Sequence, residues 1–247
     1  MKILYCGDGP IQGPAVYLYC VLNYLGHKVY HVAPEESLTQ SQLLKSKADV
    51  LILSDFHHSH LKSEESLIVQ RVQEKGMGLL MVGGWGSFFG GGYAGSKIEK
   101  LLPIKIKTKD DRINYSPGLR VFPTEKNNAL RGLFFNQGPV ICGLNQVSSK
   151  EGSRTLLGGF PLILMGDGAV KASSRSYPVL VTGKAGQGRT AAFTTDFAPH
   201  WAGGLLDWGK RRVKIRVARE QVGIEVGDNY VRFIQQLVQW LSVTDDK

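Results

Sequence analysis

The chain has 247 residues, of which 43% are hydrophobic, 21% charged and 9% aromatic. These are ordinary globular proportions, and they exclude a disordered chain, a collagen-like fibre and a coiled coil. Its 30 Lys and Arg against 21 Asp and Glu leave a net charge of +9, which raises nucleic acid as a partner to be weighed.

KILYC (2–6) has the unbroken apolar character of a buried strand and ends in the turn residues Gly7, Asp8 and Gly9. That run is too short for a secretory signal, and no segment approaches a membrane span, so no membrane partner is expected. Residues 14–25 follow as a helix, stopped by Gly26 where a left-handed cap is easiest. HKVYHVA (27–33) and DVLILSD (49–55) are the second and third strands. Ser63 opens Ser-Glu-Glu-Ser, a cap with first-turn acids, and predicts a helix that ends at Gly76. GLLMVGG (78–84) is the next strand. Strands apolar on both faces and separated by helices belong to parallel sheets with covered faces. The expected fold class is α/β, a doubly wound and mostly parallel sheet with helices on both faces.

Residues 103–160 carry short apolar runs between Pro and Gly without a helical period. YPVLVTGK and GRTAAFTTD, joined by Ala-Gly-Gln-Gly, predict a β-hairpin over 177–196. Between Lys210 and Glu225 lie six basic and two acidic residues. There Arg212, Lys214 and Arg216 alternate with Val213, Ile215 and Val217, so a strand would put the cations on one face. Such a strand either guards a sheet edge or docks an acidic partner. It lacks the interleaved aromatics on which nucleic-acid bases stack, so nucleic acid is not the expected partner. Tyr230, Phe233, Ile234, Leu237, Val238 and Leu241 recur at helical spacing and predict a terminal helix packed on the sheet. With no repeat, low-complexity tract or linker, residues 1–247 read as a single domain carrying a basic β segment near 210–226. Cys6, Cys20 and Cys142 are odd in number and lack a CxxC pair, which points to reduced thiols and a cytoplasmic location.

Ligands bind open parallel sheets beyond the carboxyl ends of the strands, so the candidate site residues are sought there. Asp55, His57 and His60, with His58 between them, are candidate metal ligands or simply a solvated loop. Gly83-Gly84-Trp85-Gly86-Ser87 after a strand has the shape of a nucleophile elbow, but Trp85 at its centre cannot attack anything. The same turn could equally let Trp85 and Phe88 pack. Gly90-Gly-Gly92-Tyr-Ala-Gly95 matches GxGxxG but neither follows its strand directly nor sits in the first βα unit. No P-loop occurs either, so no cofactor is expected. Asp196 and His200, four apart, suit an acid–base pair, or else a turn cap and a packed imidazole. Cys6 is the thiol nearest this edge.

LLMVGGWGSFFGGGY, the pair Asp110-Asp111 before Arg112, and GRTAAFTTDFAPHWAGG before a helix ending QLVQWL resemble the class I glutamine amidotransferase-like family. That family is related to the trehalose-utilisation-type proteins. The resemblance covers nearly the whole chain and implies a flavodoxin-like domain. It also implies glutamine hydrolysis by an elbow cysteine with a downstream histidine and glutamate. Mapped residue by residue, the cysteine position falls on Trp85, the histidine on His200, and the glutamate on Ala202. The triad is incomplete, so a pseudoenzyme is expected: it binds a small ligand but lacks glutaminase activity. The expected ligand contacts are Gly84, Trp85, Gly86, Ser87, Asp55 and His200, with Asp196, His200 and Cys6 as catalytic candidates. Trp85 with donors from Gly86, Ser87 and His200 would favour a partly apolar, anionic or carbonyl-bearing ligand. A metal- or Asp/His-dependent hydrolase at the same edge and a basic interaction module stay open beside it, as does a homo-oligomer.

Overall fold

The computed structural model describes residues 1–125, 130–133, 135–136 and 138–243. Aliphatic strands and amphipathic helices alternate as the sequence predicts: β1 (Lys2–Gly7), α1 (Val16–Tyr24), β2 (Lys28–Val32), α2 (Gln40–Ser46), β3 (Val50–Ser54), α3 (Glu65–Lys75) and β4 (Gly78–Val82). Short α4 (Lys97–Leu101) follows, then β5 (Ile104–Ile106), β6 (Arg112–Pro123), β7 (Val140–Asn145), β8 (Val147–Ser149), β9 (Arg154–Leu164) and β10 (Val170–Ala172). The chain closes with β11 (Tyr177–Ala185), β12 (Gly188–Phe193), α5 (Pro199–Ala202), β13 (Arg212–Val217), β14 (Val222–Gly227) and α6 (Asp228–Ser242).

Among the described residues, one ten-stranded sheet has the order β2-β1-β3-β4-β12-β11-β9-β6-β7, with β10 beside β9. Neighbours from β2 to β12 run parallel, and those from β12 to β7 antiparallel. The fold is the expected α/β sheet, and its parallel half carries the covered aliphatic strands. Every residue of β3 and β4 is buried, which is what helices on both faces require. One core lies under α1 and α6, and the other under α2, α3 and α4. In α6 the six residues at helical spacing, Tyr230 to Leu241, are all buried.

The predicted hairpin forms, with Ala185 opposite Gly188 and Gly186 left-handed at φ 62° in the two-residue turn between them. Its second strand, β12, is antiparallel to β11 yet parallel to β4, so the hairpin joins the two halves of the sheet. The helix expected from Ser63 starts two residues later. A 3-10 turn occupies Lys62–Glu64, α3 begins at Glu65, and no side chain caps it. The Glu65 carboxylate instead accepts the Lys97 and Ile98 N–H groups at 2.7 and 3.2 Å and pairs with His58 at 3.1 Å. A buried acid that caps the next helix is not available to the start of its own. The basic segment forms the two-stranded ribbon β13–β14, with Arg212, Lys214 and Arg216 exposed and Ile215 buried. No helix among the described residues is long and apolar enough to cross a membrane.

Candidate functional site

Three parallel strands, β1, β3 and β12, each deliver an aspartate to the carboxyl edge of the sheet. Asp8 follows β1 in left-handed backbone (φ 60°), and its N–H donates to the Ser54 carbonyl at 2.9 Å. Asp55 follows β3, also left-handed (φ 47°), and its N–H donates to the Ser87 hydroxyl at 3.1 Å. Asp196 lies in the turn after β12, where its carboxylate accepts the Ala198 N–H at 2.9 Å, the capping role anticipated for it. A cavity of about 560 Å³ opens between them, lined also by Pro14, Pro34, Trp85, Gly86 and His200. Left-handed backbone at a non-glycine residue is uncommon and concentrates at functional sites, and here it occurs at two of the three acids.

Burial is the main influence on all three carboxyls. It pushes Asp8 up to about 7, against the lowering effect of the Tyr5 hydroxyl that donates to it. Burial, then the charges of Asp8 and Asp55, hold Asp196 well above the carboxylate range. Asp55 is raised by burial and partly restored by the Gly86 N–H and by His200. Three carboxylates around one cavity cannot all be ionised cheaply, so protons are retained among them near neutral pH.

The loop after β4 is built differently from a nucleophile elbow. Trp85 is not among the residues with left-handed backbone; in this loop that strain falls on Phe88 (φ 48°). A Cβ at Gly83 would lie 2.1 Å from the Thr194 carbonyl oxygen, and one at Gly84 2.1 Å from the Asp55 carboxylate, so neither position admits a side chain. Gly86 donates its N–H to Asp55 at 2.7 Å, so the donor an elbow would aim at a ligand already holds a carboxylate. A buried clamp fixes the loop from below. Asn145 accepts the Gly84 N–H at 2.9 Å and donates to the Gly84 carbonyl and to Asp111, which in turn accepts the Phe89 N–H at 3.1 Å.

Of the residues singled out from sequence, Asp55, Trp85, Gly86, Asp196 and His200 meet at this cavity. Trp85 is 53% exposed, so it walls the cavity rather than filling it. His200 stands beside it, ring centroids 6.3 Å apart, and the Arg112 guanidinium, fixed by both oxygens of Asp110, covers the indole at 4.6 Å. Gly84 and Ser87 are not in the lining: Asn145 takes both backbone groups of Gly84, and the buried Ser87 hydroxyl supports Asp55. Cys6 is wholly buried in the core beneath α2 and α3, and burial pushes its thiol far up. His57 and His60 turn away, bonding Ser59 at 2.8 Å and the Glu36 carbonyl at 3.2 Å. No group of three or more His, Cys, Asp or Glu among the described residues is placed to hold a metal ion. Asp8, read from the sequence as a turn residue and not as a site residue, joins Asp55 and Asp196 in the lining; a lone acid between Gly7 and Gly9 at a strand end is a readable signal.

The model of the family described as "Putative glutamine amidotransferase" matches residues 41–215, well over half of the chain. Among solved structures, the cytoplasmic protein STM1381 from Salmonella typhimurium LT2 superposes with a TM-score of 0.73 at 20% identity, covering 98% of this chain and 99% of its own. The cytoplasmic protein STM3548 from Salmonella typhimurium gives a TM-score of 0.72 at 19% identity, covering 98% and 99%. At these identities the likeness is one of fold. No curated protein matches the sequence.

Proposed function

Because the chain belongs to the glutamine amidotransferase-like family, we propose that it keeps the ligand-binding edge of that fold without the thiol chemistry. In this reading the cavity binds a small neutral or cationic, donor-rich ligand. The observation that carries the proposal is the trio Asp8, Asp55 and Asp196 around a cavity none of the three cysteines lines. Thiol attack on an amide needs a thiolate held beside a base, and Trp85 stands where the resemblance puts that cysteine. The carboxylates also reverse the ligand charge inferred from the elbow: an anion would meet acids and an already occupied Gly86 N–H. Trp85 offers an apolar wall, its indole already covered by the Arg112 guanidinium.

A second reading, acid–base hydrolysis at the same edge, is favoured by Asp8, since a carboxyl titrating near 7 suits proton transfer at neutral pH. The basic ribbon supports an interaction module less well, because Arg212 is tied to Asp207 and Glu225 and Lys214 lies 3.6 Å from Glu225. A cytoplasmic location and a single domain complete the proposal, supported by three unpaired thiols and by the ten-stranded sheet that both halves of the chain share.

Two measurements test it. Purified protein incubated with glutamine should release ammonia at the background rate; turnover abolished by Cys6→Ser would overturn the proposal. In thermal melts, the diamine putrescine should stabilise the protein and the dicarboxylate glutarate should not.

A further inference from the structure

Asp8 owes its place in the cavity to residues that do not line it. Gly7 and Asp8 both take left-handed backbone (φ 116° and 60°), and a Cβ at Gly7 would lie 1.6 Å from the Ser54 carbonyl oxygen, so the chain folds closely over the end of β3. Such a conformation persists only where its surroundings over-determine it. The Asp8 N–H donates to the Ser54 carbonyl, and the Asp8 carbonyl accepts the Ala15 N–H, both at 2.9 Å. Two side chains hold the rest. His31 pairs in register with Tyr5 across β2 and β1. Its Nε2 lies 2.9 Å from the Gly7 carbonyl, which can only accept, so this nitrogen carries a proton. The same ring meets Tyr5 edge-on, centroids 5.1 Å apart at 65°, and Tyr19 at 6.5 Å. Tyr5 is wholly buried, and its hydroxyl donates to the Asp8 carboxylate. Packing leaves the Tyr5 ring little freedom, so its hydroxyl is aimed at one acid.

We propose that Tyr5 and His31 are positioning residues for Asp8, and that through it they decide the pH at which the cavity takes up a cation. The inference rests on the carboxylate cavity being a ligand site. The groups that act on Asp8 are Tyr5 on its own strand, Ser54 and Asp55 at the end of β3, Asp196 after β12 and Tyr230 on α6, with His200 in the same lining. Burial and the neighbouring carboxylates favour the neutral acid. The Tyr5 hydroxyl, and after it Ser54, favours the charged one. Removing the Tyr5 hydroxyl leaves the burial and the neighbouring charges in place, so the carboxyl then keeps its proton to higher pH. His31 acts one step further back, on the Gly7 carbonyl and the Tyr5 ring.

Carbon-13 NMR of the aspartate carboxyls, read without ligand, is the direct test, with Asp8→Asn identifying the resonance. In the wild type Asp8 should titrate near 7. Tyr5→Phe keeps the ring and loses only the hydroxyl, so the midpoint should rise by about one pH unit, the worth of one hydrogen bond to a charged group. His31→Leu should move it in the same direction. His31→Gln, which keeps an N–H for the Gly7 carbonyl, should bring it back toward the wild-type value. Melting curves show that each variant is folded. Calorimetric titration with putrescine should then show the gain in affinity with pH displaced upward by the same amount in Tyr5→Phe. In an Asp8→Asn background, Tyr5→Phe should leave putrescine affinity unchanged, whereas a tyrosine that only supports the fold would weaken binding there too. An Asp8 midpoint unmoved by Tyr5→Phe would overturn the proposal, and equal shifts in His31→Gln and His31→Leu would overturn the role of His31. Wild-type protein that does not bind putrescine would overturn the ligand reading, while the NMR midpoint, which needs no ligand, still decides the role of Tyr5.

Discussion

Asp8 and Asp55 occupy left-handed backbone that costs a non-glycine residue about 1 kcal/mol or more, and both face the same cavity. For Asp8 the consequence is measurable as pH dependence. Its carboxyl titrates near 7 in the fold, above the unfolded value of about 3.9. A raised carboxyl favours the protonated native state, so its contribution to stability is present at low pH and fades as pH rises through 7. Asp8→Asn should therefore flatten the decline in melting temperature between about pH 4 and 8; a variant that follows the wild-type profile would place the titration elsewhere. Trp85 separates wall from plug. Half exposed, it should cost about 1 kcal/mol or less when replaced by alanine, against about 3–5 kcal/mol for a large aromatic in a core. Urea unfolding of Trp85→Ala measures this, and a loss in the core range would mean that the indole holds the fold together.

At the scale of elements, the loop from Gly83 to Phe89 depends on a clamp delivered by β7 and the start of β6. Asn145 and Asp111 are fully buried, and each satisfies groups that water cannot reach. Asn145→Ala would leave the Gly84 N–H and an Asp111 oxygen unpaired and should cost about 2–4 kcal/mol in urea unfolding. An unchanged midpoint would show the clamp to be dispensable. This dependence also marks where the sequence stops being legible. The aliphatic runs of β1, β3 and β4, the stripe of α6 and the turn at Gly186 follow from periodicity and glycine placement. The common edge of Asp55, Gly83 and Asp196 then follows from parallel strands sharing a direction. Helix α2 escapes a reading based on apolar runs, although Thr39 and Gln42 form a reciprocal capping box there. The Asn145–Gly84 pairing spans 61 residues, and nothing local in either segment announces it. The same is true of Gly86 donating to Asp55: an elbow pattern shows that donors exist, but only the fold shows that a carboxylate from another strand has taken one.

Across the whole molecule, charge is divided by place rather than spread evenly. Acids gather at the carboxyl edge of the parallel strands, and cations at the opposite edge and on the β13–β14 ribbon. Lys214 and Arg216 are solvated, and Lys214 is only weakly paired at 3.6 Å from Glu225, so Lys214→Gln with Arg216→Gln should change stability by no more than about 0.5 kcal/mol. A larger loss in urea unfolding would mean that the ribbon's charges hold it against α1. If the cavity binds a ligand as proposed, its three acids select the charge, and that discrimination should sharpen with pH as Asp8 ionises. Calorimetric titration with putrescine and with glutarate at pH 6 and pH 8 tests this most directly. Putrescine should bind at both values and more tightly at pH 8, with Asp196→Asn weakening it, and glutarate should not bind at either. Glutarate binding that Trp85→Ala abolishes, with no response to putrescine, would contradict a carboxylate-governed site.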